Sequence, residues 1–434
     1  MKRAAFPLQY GLYQVISWLF YLIAFPLFSL YSLVSGRHGA SLGERLGRVT
    51  LRMPTSQHPR IWIHAASVGE VQAAKALIPE LLKAFPQAAL VVSTMTEQGR
   101  NRAREDLGQV EACIYAPLDL APFVRKSLRA VRPDIYICLE TELWPTFLRL
   151  AAARGTALFL LNARLSEKSF GRYYCFRRMA KDVLGRFAAI AAITAADGER
   201  FRALGAPAAN ITVLGNAKYD RQDAMARPEA TDRCRQILGL SADQPVLVAG
   251  STHTGEEEIL LEAFATIRAS NPTMILVLAP RHIQRLASLE ALLTHRGLPW
   301  HRWTAVKNEG RAAAIVLLDT MGELTDLYGA ATLVFCGGSL VDKGGHNILE
   351  AAAWGKPVFY GPHMQDFADA RAILEKAGAG FTVHTASELA AAALALLQNP
   401  EQYADVAARA RQAVQDNQGA AVAMARLVKN RLAG

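Results

Sequence analysis

Ile61-Trp62-Ile63-His64-Ala65-Ala66-Ser67-Val68-Gly69-Glu70-Val71, IWIHAASVGEV, is the stretch that decides the fold. A short buried strand over 61–65 meets the turn and cap residues Ser67 and Gly69, and an apolar-striped helix follows over 71–84. Strand, turn and helix in this order form the unit of a parallel sheet covered by helices. Glu70 stands at the corner. The helix dipole favours a carboxylate at a helix start and keeps it ionised. Such a glutamate is either a cap or a base, and the stretch alone leaves both open.

The same unit repeats downstream. Strand patterns fall at 61–64, 88–93, 111–115, 135–139, 157–161, 188–194 and 211–214, with helical stretches between them. A polar, proline-containing run over 221–230 reads as a linker. A second series follows at 245–249, 274–278, 315–318, 333–336 and 357–360, and the Ala- and Arg-rich tail over 401–432 is helical in pattern. The expectation is α/β: two Rossmann-like domains, 37–222 and 223–434, with the strand ends of both sheets around one ligand cleft. A length of 434 residues also predicts two domains.

The net charge of +10 points to an anionic partner: nucleic acid, anionic lipid or a phosphorylated substrate. Cys113, Cys138, Cys175, Cys234 and Cys336 form no C-x-x-C pair, which excludes a disulfide framework or a zinc site and fits reduced thiols. Residues 1–36 differ from the rest. No charge occurs from Ala4 to Gly36, and Gly11 to Val34 is long enough to cross a hydrocarbon layer, which takes roughly 20 residues. Trp18, Tyr10, Tyr13, Tyr21 and Tyr31 give it interfacial character, and Pro26 would kink it. A cleaved signal peptide is the competing reading, but its apolar region is usually about 7–15 residues. The run is read as a membrane anchor. The basic residues after it (Arg37, Arg45, Arg48, Arg52) place the body on the cytoplasmic side. Whether the anchor spans or lies in one leaflet stays open.

The sequence has no G-x-x-x-x-G-K-[ST], no H-E-x-x-H, no Asp-x-Asp and no G-x-G-x-x-G. A P-loop ATPase and a zincin are excluded, a dehydrogenase is disfavoured, and no metal or cofactor is expected. Six places carry candidate chemistry. Gly250 to Glu258 (GSTHTGEEE) offers either backbone N–H groups to a phosphate or a plain first helical turn of glutamates. Arg281, after the strand ending LAP, is a phosphate fork or a solvated helix start. Phe335 to Glu350 (FCGGSLVDKGGHNILE) runs a strand through two glycine pairs to a helix that Asn347 can cap, with Glu350 at capping-box spacing. It reads as a nucleotide-binding loop in which Glu350 accepts from ribose hydroxyls. Cys138 to Pro145 (CLETELWP) carries Glu140 and Glu142, which read on pattern alone as first-turn residues of a helix over 143–153. Lys218 ends the last strand of the first series. Arg172, Arg177, Arg178, Lys181 and Arg186, interleaved with Phe170, Tyr173, Tyr174 and Phe176, suit an anionic membrane surface better than nucleic acid.

Taken in order, IWIHAASVGE, YAPLDL, RPDIYICLETELWP, NARLSE, GNAKYD, GSTHTGEEE, LAPRH, DTMGEL and GGSLVDKGGHNILEAAAWGKPV resemble the 3-deoxy-D-manno-octulosonic acid (Kdo) transferases of lipopolysaccharide synthesis. The resemblance runs from Ile61 to about His363. It implies a GT-B fold and an inverting transfer of Kdo from CMP-Kdo to a tetraacylated lipid A precursor (lipid IVA) at the cytoplasmic face of the inner membrane. It places the general base on Glu70 and transition-state stabilisation on Glu140 and Lys218. It places CMP contacts on Pro280, Arg281, Met321, Gly322, Glu323, Asn347, Ile348, Leu349 and Glu350. On this reading Glu70 takes the proton of an acceptor hydroxyl as that oxygen attacks the anomeric carbon. Arg281 and the helix starts then stabilise the departing phosphate. The competing readings are a GT-B transferase with another nucleotide sugar and a membrane-bound acceptor, and a non-enzymatic membrane scaffold.

Overall fold

The structure is a computed structural model that describes residues 8–35, 39–51, 58–220 and 228–433. The chain divides into two units, Met1–Asp220 with Gly419–Gly434, and Arg221–Gln418. The first carries β1 (Arg60–His64), β2 (Ala89–Thr94), β3 (Ala112–Tyr115), β4 (Ile135–Leu139), β5 (Ala157–Ala163), β6 (Phe187–Ala192) and β7 (Ile211–Val213). They form one sheet in the order β3-β2-β1-β4-β5-β6-β7, with every pairing parallel. The second carries β8 (Val246–Thr252), β9 (Ile275–Pro280), β10 (Trp300–Arg302), β11 (Ile315–Leu317), β12 (Leu333–Cys336), β13 (Val358–Tyr360) and β14 (Gly380–Thr382). Its order is β10-β11-β9-β8-β12-β13-β14, again parallel throughout. Two parallel-sheet α/β units are what the alternating pattern predicts. The edge strands β10 and β14 were not foreseen, because they are short and none of their residues is fully buried, so they carry no apolar run.

The central strands are covered on both faces, so they read as continuous apolar runs. All five residues of β1 are buried. Ile61 and Ile63 join the core under the helix Val68–Ala84, whereas Trp62 joins the core on the opposite face. There its ring meets Phe147 edge-on at 5.0 Å, and Tyr136 lies 4.5 Å from Phe147. A one-residue slip of β1 would exchange these two cores, so the register that places Glu70 is fixed by packing.

The helix Ala420–Ala433 was expected to close the second domain. Instead it completes the first unit. Ala420, Ala421, Met424, Ala425 and Val428 sit in the core beneath the helix Val68–Ala84. The Asp220 carboxylate accepts the N–H groups of Ala420 (3.1 Å) and Ala421 (2.6 Å), capping this helix across the sequence. Most of the 221–230 linker lies outside the described residues, and its last three residues already begin the helix Pro228–Ile237.

Among the described residues no helix is long and apolar enough to cross a membrane, so the spanning form of the expected anchor is not supported. The first helix, Leu8–Ser35, contains Pro26. Its side chains at 8–9, 24–25 and 27–35 lie outside the described residues. One face of the described part is bound to the first unit. Tyr10 donates its hydroxyl to Asp182 at 2.6 Å, and Tyr13 donates to Asp119 at 2.8 Å. Trp18 and Tyr21 lie against Phe123. Of the tyrosines read as interfacial, Tyr10, Tyr13 and Tyr21 thus contact the first unit, and the side chain of Tyr31 lies outside the described residues. Leu12, Val15, Ile16, Leu19, Phe20, Leu22 and Ile23 remain exposed on the same helix.

Candidate active site

Three sequence-predicted residues of the first unit come together at the C-terminal ends of its strands, where open parallel sheets hold their ligands. The helix Val68–Ala84 starts earlier than its apolar stripe suggests, with Ser67 as cap and Glu70 in the first turn. The Ser67 N–H donates to Glu70 Oε2 at 2.5 Å, and the Ser67 hydroxyl donates to the same oxygen. This is the carboxylate half of a capping box. Unlike an ordinary surface cap, Glu70 is only 6% exposed. Burial pushes its carboxyl up to about 7, against the pull of Ser67 and with help from the charge of Glu140. The helix start favours the ionised form, and burial outweighs it. The group is both capped and poised to exchange a proton near neutrality.

Glu140 is not a first-turn helical residue. The helix begins only at Pro145, because proline suits the first turn and disfavours helix in the residue before it. Glu140 instead turns the chain after β4 with a left-handed φ of 57°. Its carboxylate forms an ion pair with Lys218 Nζ, and a Cβ added at Gly69 would stand 3.5 Å from that nitrogen. Non-glycine residues take this backbone region at a cost and often at functional positions. Asn162, in β5, also has positive φ (51°) and is buried; its Oδ1 accepts the Ala217 N–H at 2.8 Å. Asn216 then accepts the Lys218 N–H at 3.1 Å. These two asparagines fix the segment that carries Lys218. Sequence reasoning missed Asn162, although an asparagine inside an apolar strand was the available signal. Glu142 belongs to the group as well. Burial raises its carboxyl, Glu140 adds to the rise, and its charge acts on Glu70.

In the second unit the predicted donor residues follow β9, β11 and β12. Pro280 ends β9, and the Arg281 N–H donates to Thr252 O at 3.0 Å. Met321 and Gly322 are exposed. Burial would raise Glu323, but bonds from Thr320 and Lys307 hold it below the ordinary range. Asn347 Oδ1 accepts the Leu349 N–H at 3.1 Å, and its Nδ2 donates to Glu350 at 3.2 Å. Burial raises Glu350, opposed by Asn347 and by the charge of Arg281. Ile348 and Leu349 are buried and anchor this turn in the core.

The glycine loop is different from its sequence reading. Glu256 is fully buried and accepts four backbone N–H groups: His253 (2.8 Å), Gly338 (2.7 Å), Ser339 (3.0 Å) and Leu340 (2.9 Å). Those donors are spent on the protein itself. A side chain at Gly337 would collide with the backbone of Ser251 and Thr252, and one at Gly345 with Met364. The close approach that the glycines permit is thus between segments of this unit. Of the glutamates in GEEE, Glu256 ties two loops together and Glu257 pairs with Arg285 at 2.7 Å.

Residues 40–221 match the family model described as 3-Deoxy-D-manno-octulosonic-acid transferase (kdotransferase). A 3-deoxy-D-manno-octulosonic acid transferase of Haemophilus influenzae is 33% identical over 402 residues, 92% of this chain and 93% of that one. The chain belongs to the Kdo transferase family. The Bordetella pertussis Kdo transferase is 33% identical over 82% of this chain and 83% of its own length. As a member of this family the chain is a glycosyltransferase, and the resemblance carried by the ordered motifs is borne out. The UDP-GlcNAc 2-epimerase of Neisseria meningitidis, solved with UDP-GlcNAc, shares the fold at a TM-score of 0.60. It is 14% identical, covering 86% of this chain and 99% of that one. In this Kdo transferase the residues matched by the family model include Glu70, Glu140 and Lys218.

Proposed function

We infer that this Kdo transferase takes Kdo from CMP-Kdo and adds it, with inversion, to a tetraacylated lipid A precursor (lipid IVA). The observation that carries the mechanism is the buried, twice hydrogen-bonded Glu70, poised near neutrality beside the Lys218–Glu140 pair. A base works best when its pKa lies near the working pH. Glu70 takes the proton of the acceptor hydroxyl as that oxygen forms its bond to the Kdo anomeric carbon. The bond from that carbon to the phosphate oxygen breaks, and CMP leaves with the electron pair. Lys218, held by Glu140, offsets negative charge developing in the transition state. CMP is held on the second unit, by Pro280 and Arg281, by Met321, Gly322 and Glu323, and by Asn347, Ile348, Leu349 and Glu350. Glu350 accepts from the ribose hydroxyls and Arg281 faces the phosphate.

The acceptor is a lipid, and the reading places the enzyme on the cytoplasmic side of the inner membrane. What supports this is the exposed apolar row on the first helix, where Phe20 is 72% exposed, together with exposed Tyr174 and Phe176 among Arg172, Arg177, Arg178 and Lys181. Apolar rows flanked by basic residues bind anionic lipid surfaces without crossing them.

The test is transfer from CMP-Kdo to the tetraacyl precursor in detergent, wild type beside Glu70→Ala, with products read by mass spectrometry. Kdo-bearing lipid from the wild type and almost none from the folded variant is the expected result. The mass ladder counts the sugars added. No transfer by the wild type defeats the donor or acceptor assignment, and equal transfer by both defeats the base assignment.

A further inference from the structure

Three histidines of the second unit follow neighbouring strands, and the reaction as described does not use them. His253 follows β8, His282 follows β9 and His346 follows β12. The rings of His253 and His346 are stacked, with centroids 5.4 Å apart and planes 10° apart. Their Nε2 atoms are 3.1 Å from each other. A hydrogen bond between two imidazole nitrogens needs one N–H and one bare nitrogen, so a neutral pair shares a single proton there. His282 meets His253 edge-on at 5.9 Å. The pair lies against Gly338: a Cβ there would be 3.1 Å from His346 Nε2 and 3.3 Å from His253 Cδ2. Among the described residues no three His, Cys, Asp or Glu side chains are grouped to hold a metal ion.

The charges around the pair favour an anion. His253 faces His282, Arg285, Lys343 and one carboxylate, Glu256. That carboxylate already serves four backbone N–H groups. His346 faces Arg281, His253 and His282. Burial, then Arg281 and the two histidines, depress the His346 ring to about 4, so the empty pair is neutral at physiological pH. An anion seated beside Arg281 and Lys343 would reverse that balance, because an opposite charge nearby favours the protonated ring.

We propose that His253 and His346 form a proton-accepting clamp for the donor phosphate, neutral when empty and protonated when the phosphate is bound. The proposal rests on the CMP-Kdo reading given above. Its chemical value lies in the leaving group. The donor phosphate is a diester with one negative charge, and CMP departs as a monoester whose second ionisation lies near neutrality. The charge on the phosphate grows as the carbon–oxygen bond breaks. A protonated imidazole pair donates to the oxygen that receives the electron pair, and the acceptor's proton goes separately to Glu70.

The experiment is calorimetric titration of CMP at pH 7 in buffers of different ionisation heat. It compares wild type with His346→Gln and His253→Gln, with cytidine as the ligand lacking phosphate. The wild type should take up more protons than either variant, by up to about one, and the comparison cancels the ionisation of CMP itself. Its affinity should fall up to about tenfold per pH unit above neutrality, with a flatter dependence in the variants. Cytidine should bring no uptake. NMR of the wild type labelled with nitrogen-15 at histidine reads the same event without substitution: the imidazolium signal should appear only with CMP. Proton uptake unchanged by the substitutions, equal uptake with cytidine, or no imidazolium signal overturns the proposal alone. No CMP binding at all overturns the donor reading and the proposal with it.

Discussion

Glu70→Gln should make the first unit more stable and the enzyme inactive. Burial raises the Glu70 carboxyl from its ordinary 4.5 to about 7. A group raised on folding contributes its stability below its unfolded value and loses it as pH climbs through the folded value. The folded chain therefore carries a penalty that develops between about pH 4.5 and pH 7 and is constant above. The difference corresponds to about 3 kcal/mol. Solvent screening does little to reduce it, because Glu70 is only 6% exposed. Glutamine keeps the cap, since both Ser67 bonds go to one oxygen, Oε2, which an amide oxygen can replace. It carries no charge and escapes the penalty. Urea unfolding of wild type and variant should show the variant more stable by up to about 3 kcal/mol at pH 8, with the gain gone at pH 4. In a thermal scan this corresponds to roughly 6 °C or more. A variant no more stable at pH 8, or one whose gain persists at pH 4, would refute the burial argument.

Other substitutions read the same geometry. Ser67→Ala removes a hydrogen bond to the charged Glu70, worth about 1.5–3 kcal/mol. The acid limb of the activity profile should then move up by one to two pH units, roughly, with activity recovered at high pH. Lys218→Met leaves Glu140 unpaired beside Glu70; transfer should fall by about 100-fold or more at saturating substrate, with the acid limb displaced upward. Glu256→Ala frees four buried N–H groups across two loops, so CMP affinity measured by calorimetry should drop at least about tenfold, with the second unit destabilised by about 2–4 kcal/mol. Asp119→Ala removes the acceptor of the Tyr13 hydroxyl and of the Thr146 and Phe147 N–H groups. It should lower stability in urea by about 3 kcal/mol and open the first helix to protease.

The two sheets were legible because their strands are buried on both faces and carry long apolar runs. β10 and β14 were not, being short edge strands with mixed exposure. The helix over 420–433 has an ordinary amphipathic pattern, and nothing in it says which unit it will cover; that is decided by Asp220, some two hundred positions away. Glu70 was visible as a glutamate at a strand-to-helix corner, but its burial was not, and burial separates a base from a cap. Glu140 read as helical because the pattern could not show that the turn before Pro145 would adopt a left-handed backbone. The glycine loop read as open to ligand, since the four bonds to Glu256 are a tertiary fact. The resemblance supplied the family and the candidate residues, whereas the charge state of Glu70 came only from its surroundings.

The most direct test of the account is the pH dependence of kcat/KM for Kdo transfer by the wild-type enzyme, whose acid limb reports the free enzyme's essential base. The account predicts a limb near pH 7 that moves upward in Ser67→Ala and is absent from the residual rate of Glu70→Gln. A limb near the ordinary carboxylate value of 4.5, or one that stays in place in both variants, would show that Glu70 caps its helix and does nothing to the acceptor.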